Sequence, residues 1–323
     1  MKRIKISCIP LITAIILLPV SFPEIYLGEV EIKIKRGKNL SDIANLLAES
    51  RIIEDRYGFR VLGTLSRKSS MLSYGWYELE LYQNPRLVIN MLSKGQRMTI
   101  RITIPEGLTM DGTLNLLAKK SDINIEKMDS LIHDKDFIIS LGLNVNSLEG
   151  YLFPDTYIFY KSEDPEKVIR KMVYNLSSIL KPGFWIRINS MRFDSKEILT
   201  IASLIEKEAM VDREKPIIAS VIYNRLKKGM KLQIDATVLY ALGYSKGRVY
   251  FKDLKVNSPY NTYIHRGLPP GPIANPGYQS ILAATHPGRT DYLYYVATGK
   301  GDHIFTKTFK EHKTAKFKIR RNR

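Results

Sequence analysis

The sequence predicts an α+β protein, and three observations carry that expectation. An alternating strand followed by a glycine and a helix occurs twice in the first half of the chain. The middle is dominated by long helical stretches interrupted at Pro182-Gly183, and a turn-rich aromatic section then leads into a last helix and strand. With 323 residues and 44% apolar content, the chain is long enough for two or three cores.

At the N-terminus, Lys2, Arg3 and Lys5 precede "ISCIPLITAIILLPVSF", Ile6 to Phe22. This apolar run of about 17 residues is near the lower limit for crossing a bilayer. The basic flank assigns residues 1–5 to the cytoplasm and 6–22 to a transmembrane anchor. A cleaved signal peptide is the competing reading, and the missing small-x-small site favours a retained anchor. In either case the chain beyond about residue 25 faces away from the cytoplasm, which removes ATP-dependent chemistry and most nucleic-acid chemistry.

"EIKIKRGKNLSDIANLLA" (Glu31 to Ala48) and "TIRITIPEGLTMDGTLNLLA" (Thr99 to Ala118) are the two similar stretches, with Gly37 and Gly107 in equivalent places. Ile32 and Ile34 alternate with charged residues, as in a half-buried strand. Ser41 and Asp111 are expected to cap the two helices. Strand, glycine turn and helix is also a common pattern, so relatedness and coincidence both stand. Between the copies the spacing predicts a strand over Tyr77 to Tyr82, a helix over Pro85 to Leu92 and a turn at Gly95. Residues 30–145 thus form one or two small α+β units, and a second region begins at about 147.

The net charge of +18 is spread along the chain, with a dense basic cluster only in the tail, residues 316–323. No nucleic-acid partner is expected from that distribution. The single cysteine, Cys8, lies in the apolar run, which excludes an intrachain disulfide, a cysteine metal cage and a catalytic thiol. Histidines 133, 265, 286, 303 and 312 lack metal-ligand spacing, so neither a metal nor another cofactor is expected.

Within "TIASLIEKEAM" (Thr200 to Met210), Glu206 and Glu208 interrupt an otherwise apolar helix. At 100° per residue, Ile198, Ala202, Ile205 and Ala209 form a core stripe, with Glu206 at about 80° and Glu208 near 280° from Ile198. Both acids fall within the wide apolar arc, and the geometry does not choose between them. A desolvated carboxyl holds its proton more tightly and can donate it to a leaving oxygen, as glycosidic cleavage requires. A plain ion pair with Arg225 or Lys207 is the structural alternative.

The first copy resembles the LysM module, a small glycan-binding unit. Five further motifs resemble, in order, the MltG or YceG-like family of endolytic murein transglycosylases: "LEGYLFPDTY", "IASLIEKEA", "VIYNRLKKGMKLQIDATVLYALG", "SPYNTYIHRGLPPGPIANPG" and "HIFTKTFKEH". The resemblance covers about residues 30 to 312. It implies a single-pass inner-membrane protein with a LysM-like region at 30–145 and a lysozyme-like catalytic domain at 147–315, outside the cytoplasm. It maps the family's catalytic glutamate onto Glu206, and it leaves the basic tail unexplained. The implied reaction cuts the β-1,4 bond between N-acetylmuramic acid and N-acetylglucosamine in nascent peptidoglycan, leaving 1,6-anhydro ends. Penicillin-binding protein synthases are the implied partners.

Gln233, Asp235, Thr237, Tyr260, Asn261 and Tyr263 are candidate sugar contacts, since amides and hydroxyls bind polar edges and aromatic faces cover C–H surfaces. Glu149 is the best second acid by motif, with a structural or substrate-positioning role expected. Asn224 and Arg225 either orient the site or tie helices together. The rival readings are a non-catalytic wall-binding scaffold and a water-using muramidase.

Overall fold

A computed structural model describes residues 28–180, 182–244 and 247–321. The cytoplasmic tail and anchor expected at 1–5 and 6–22 lie outside the described residues. Among the described residues, no helix is long and apolar enough to cross a membrane. The chain forms two compact units: one holds the described residues up to Ile32 with 37–73 and 78–95, the other holds 33–36, 74–77 and everything from Gln96 onward.

The first unit follows the order β1 (Glu29–Ile34), α1 (Leu40–Glu49), α2 (Arg56–Leu65), β2 (Gly75–Glu80), α3 (Pro85–Lys94). β1 and β2 share a two-stranded sheet whose far ends, Lys33–Arg36 and Tyr74–Tyr77, group with the second unit. Ile32 and Ile34 are buried between exposed neighbours, as the alternation predicts. Ile43, Leu47, Phe59, Val88 and Leu92 are buried in this unit. α3 starts on Pro85 behind the Asn84 cap and stops at Gly95, whose φ of 63° a side chain would resist.

The helix caps differ from the sequence expectation by two residues. Asn39 caps α1 in an extended conformation, accepting the Asp42 N–H while Asp42 accepts the Asn39 N–H. Ser41 is already inside the first turn, where its backbone is helical and its oxygen no longer faces the free amides. Thr109, not Asp111, likewise caps α4 (Met110–Lys120) through the Gly112 N–H.

The second unit opens with β3 (Thr99–Thr103), α4, α5 (Ile125–His133), α6 (Lys135–Ser140) and β4 (Thr156–Tyr160). β3 and β4 are antiparallel with Thr99 opposite Tyr160, so a strand pair spans residue 146, where the sequence suggested a change of region. α7 (Pro165–Ile179), α8 (Pro182–Asn189), α9 (Ser195–Glu208), α10 (Lys215–Lys227), α11 (Asp235–Ala241) and α12 (Tyr278–Thr285) follow. The chain ends with antiparallel β5 (Tyr294–Ala297) and β6 (His303–Thr306), then α13 (Phe309–Arg321). The basic cluster from Lys316 is the last stretch of this helix as far as Arg321.

α9 is the spine of the unit. An Asp194–Glu197 capping box starts it, and every residue from Ile198 to Ile205 is buried. The expected stripe is therefore a full circumference, because α10, α11 and α12 all pack against α9. A helix shows a single apolar stripe only when one side meets water. Glu206 and Glu208 lie in its last turn, where the helix leaves this core.

Candidate functional site

Glu206 sits where three segments meet. Its side chain is 10% exposed. Oε2 accepts the Gly277 N–H at 3.0 Å and the Ser280 hydroxyl at 2.6 Å, while Oε1 lies 3.6 Å from the Lys215 ammonium. Gly277 is the N-cap of α12 and Ser280 is in its first turn, so this helix start is aimed at the carboxyl. Lys215, at the start of α10, is 5% exposed and also approaches Asp212 Oδ1 at 2.9 Å and Glu106 Oε2 at 3.9 Å.

Glu106 arrives on the turn between β3 and α4. Gly107 donates its N–H to the Asn275 carbonyl at 2.9 Å, and Asn275 donates to the Leu108 carbonyl at 2.8 Å. This short backbone ladder lays the Glu106 side chain against Gly277, and a Cβ on Gly107 would meet Glu206 Cγ at 3.6 Å. Burial, followed by the nearby Glu206 carboxylate, pushes the Glu106 carboxyl above its ordinary range. Arg225 and Lys207 make their hydrogen bonds elsewhere, although the charge of Glu206 is felt at Lys207. Arg225 donates to the Leu293, Lys231 and Leu232 carbonyls, and Lys207 donates to the Gly107 carbonyl and lies over the Tyr244 ring.

Glu208 points elsewhere: its Oε2 accepts the Tyr295 hydroxyl at 2.8 Å, and burial holds its carboxyl above the ordinary range. Glu149 is buried, takes the Met110 N–H at 3.0 Å on Oε1, and has the Tyr240 hydroxyl 3.4 Å from Oε2. Burial outweighs those donors and pushes it up to about 7. Tyr240 also packs against Tyr260 with ring centroids 4.7 Å apart, so it stands between two of the residues named from the sequence, Glu149 and Tyr260.

The remaining candidates divide by exposure. Asp235 and Gln233 are exposed; Asp235 accepts the Tyr263 hydroxyl at 2.5 Å, and Gln233 holds a φ of 51°. Thr237 and Asn261 are fully buried. Thr237 bonds the Ile234 carbonyl and Thr262, and Asn261 holds its own loop through the Leu254 and Val256 carbonyls. Asn224 ties α10 to the segment before β5 through the Thr290 and Tyr292 carbonyls.

Sequence reasoning missed Glu106, Lys215, Gly277 and Ser280. One signal was available: the second repeat has a glutamate before its glycine where the first has Arg36. A carboxyl with one oxygen fixed by two donors, in a cluster still partly open to solvent, has the direction and access needed to pass a proton to and from a bound group. Among the described residues, no group of His, Cys, Asp and Glu could hold a metal ion.

The YceG-like family model matches residues 32–318. The chain is 37% identical over 305 residues to the endolytic murein transglycosylase of Bacillus subtilis, covering 90% of this chain and 84% of that protein. It is 29% identical to the protein of the same name from Streptococcus pneumoniae D39, covering 83% of this chain but 54% of that longer protein. A crystal structure of a yceG-like protein from Listeria monocytogenes superposes with a TM-score of 0.61 at 35% identity, over 89% of this chain and 99% of that one.

Proposed function

The chain belongs to the YceG-like family, and from that premise we propose that it is an endolytic lytic transglycosylase of peptidoglycan in which Glu206 is acid and base in turn. Glu206 protonates the N-acetylglucosamine O4 as the bond from muramic C1 breaks. The muramic C6 oxygen then bonds to C1, and its proton passes to the Glu206 carboxylate. The ring closes as a 1,6-anhydro end and the carboxyl is restored. The nucleophile belongs to the substrate, so the pair of carboxyls used by common glycosidases is not required. The observation that carries this reading is the held Glu206 carboxyl, with Gly277 and Ser280 on one oxygen and the other facing Lys215.

In this reading residues 147–315 are the lysozyme-like catalytic region, and 30–145 the LysM-like region that engages glycan. The strand, two helices, strand order of β1, α1, α2 and β2 supports the latter. Asp235, Gln233, Tyr260 and Tyr263 are the candidate sugar contacts with exposed or partly exposed side chains. Glu149, Thr237 and Asn261 act by shaping the walls. Residues 6–22 anchor the protein in the cytoplasmic membrane with the N-terminus inside, and glycan-polymerising penicillin-binding proteins are its partners. The basic tail from residue 316 meets anionic wall polymer or lipid.

Mass spectrometry of fragments released from purified peptidoglycan tests the reading, with Glu206→Gln as control. Anhydro-ended internal fragments from the wild type alone are expected. Free reducing ends would make it a muramidase, and bound but uncut glycan a scaffold.

A further inference from the structure

A buried ammonium facing a proton donor poses a physical problem. An opposite charge nearby favours the ionised form of a carboxyl, yet the proposed reaction needs Glu206 to begin with its proton on. Lys215 is 5% exposed, so its ammonium needs anionic partners whatever the state of Glu206.

We propose that Glu106 is a positioning residue of this site, whose carboxylate balances Lys215 and so lets Glu206 carry the proton it delivers. This inference rests on the reading of Glu206 as acid and base. The charged groups around it are Glu206 on α9, Lys215 on α10 and Asp212 in the turn before α10. Lys207 on α9 is turned to the Gly107 carbonyl. With Glu106 and Asp212 both ionised, Lys215 keeps anionic partners when Glu206 is neutral. At Glu106, burial and then the like charge of Glu206 push the carboxyl up while Lys215 pulls it down, which places the two carboxyls and the cation within electrostatic reach of one another.

Two features hold Glu106 in this place. The ladder between Gly107-Leu108 and Asn275 fixes its backbone, and the Asn275 side chain adds a donor to the Leu108 carbonyl at 3.1 Å. Gly277 has φ −78° and ψ 172°, a conformation open to any residue. Its backbone does not call for glycine. Space does, because a Cβ there would occupy the position of the Glu106 carboxyl.

The test is the pH profile of initial rate on glycan strands for the full chain and for Glu106→Gln, Glu106→Asp and Gly277→Ala. Glu106→Gln should move the alkaline limb to lower pH by about one unit, which is about tenfold less product on that limb, with an unchanged melting temperature because Glu106 is half-exposed. Glu106→Asp, which keeps the charge, should retain the wild-type limb. Gly277→Ala, which displaces the Glu106 carboxyl, should reproduce the Gln shift. A wild-type profile for Glu106→Gln, or an equal fall at every pH, overturns the proposal while leaving Glu206 in its role. If the wild type makes no anhydro ends, or Glu206→Gln is fully active, the underlying reading fails and this inference with it.

Discussion

The turn after β1 and the turn after β3 each set a glycine in the left-handed conformation, φ 83° at Gly37 and 75° at Gly107. Each glycine stands two residues ahead of its helix cap, Asn39 or Thr109. Their surroundings differ. A Cβ on Gly37 would meet nothing within 4 Å, whereas one on Gly107 would touch Glu206 and Lys207. The residue before the glycine is Arg36 in one turn and Glu106 in the other. The start of α1 is closed by a local box between Asn39 and Asp42, while the start of α4 also borrows the buried carboxyl of Glu149. The same backbone device is thus self-contained in one place and wired into a site in the other.

Six substitutions would break or sharpen that contrast. The largest effect belongs to the carboxyl that the second turn faces: Glu206→Gln should reduce anhydro-ended product by roughly a thousandfold, within the range for a lost proton-transfer group, read by mass spectrometry.

Next is Glu149→Gln, which tests the borrowed carboxyl. The folded-state carboxyl sits at about 7 against an ordinary 4.5, so the native state binds the proton more readily. Its stabilising contribution is therefore complete below pH 4.5 and is lost as pH rises to about 7, a swing of about 3 kcal/mol for this group. Urea unfolding should show the variant gaining on the wild type across that window. A constant difference between the two would detach Glu149 from the pH dependence.

Gly37→Ala and Gly107→Ala should each cost about 1.5 kcal/mol, since both put a side chain into a left-handed turn. Only the Gly107 variant should lower turnover. Equal turnover losses would erase the distinction between the turns. The smallest effects are at the caps: Asn39→Ala should cost about 1 kcal/mol in thermal unfolding and Thr109→Ala about half that, because Glu149 still accepts the Met110 N–H.

How much of this was legible in the sequence depends on the range of the interaction. The strand alternation at Ile32 and Ile34, the Pro85 helix start and the Gly95 stop are local and were readable. Glu206 was singled out by motif, since the helical wheel left it level with Glu208. What separates the two is tertiary: Glu206 turns to Gly277 and Ser280, and Glu208 to Tyr295. Ser280 lies 74 residues beyond Glu206, and no periodicity reaches that far. The caps were misplaced because Ser41 and Asp111 have suitable side chains, while the extended backbone that makes a cap belongs to Asn39 and Thr109. Thr237 and Asn261 have sugar-binding chemistry on paper, yet both are fully buried, Thr237 in the first turn of α11 against Thr262 and Asn261 within its own loop.

The ladder between Gly107-Leu108 and Asn275 also sets a clock. A ribosome delivers the chain in order, and Glu206 is made well before the two donors that hold it. A nascent chain that has folded only through α9 owns the acid but not its cradle, and the Glu106 turn has no strand of backbone to zip against. Closing so long a loop is entropically slow and waits for the late segment. A chain cut short before Gly277 would therefore carry Glu206 without the two donors that hold it.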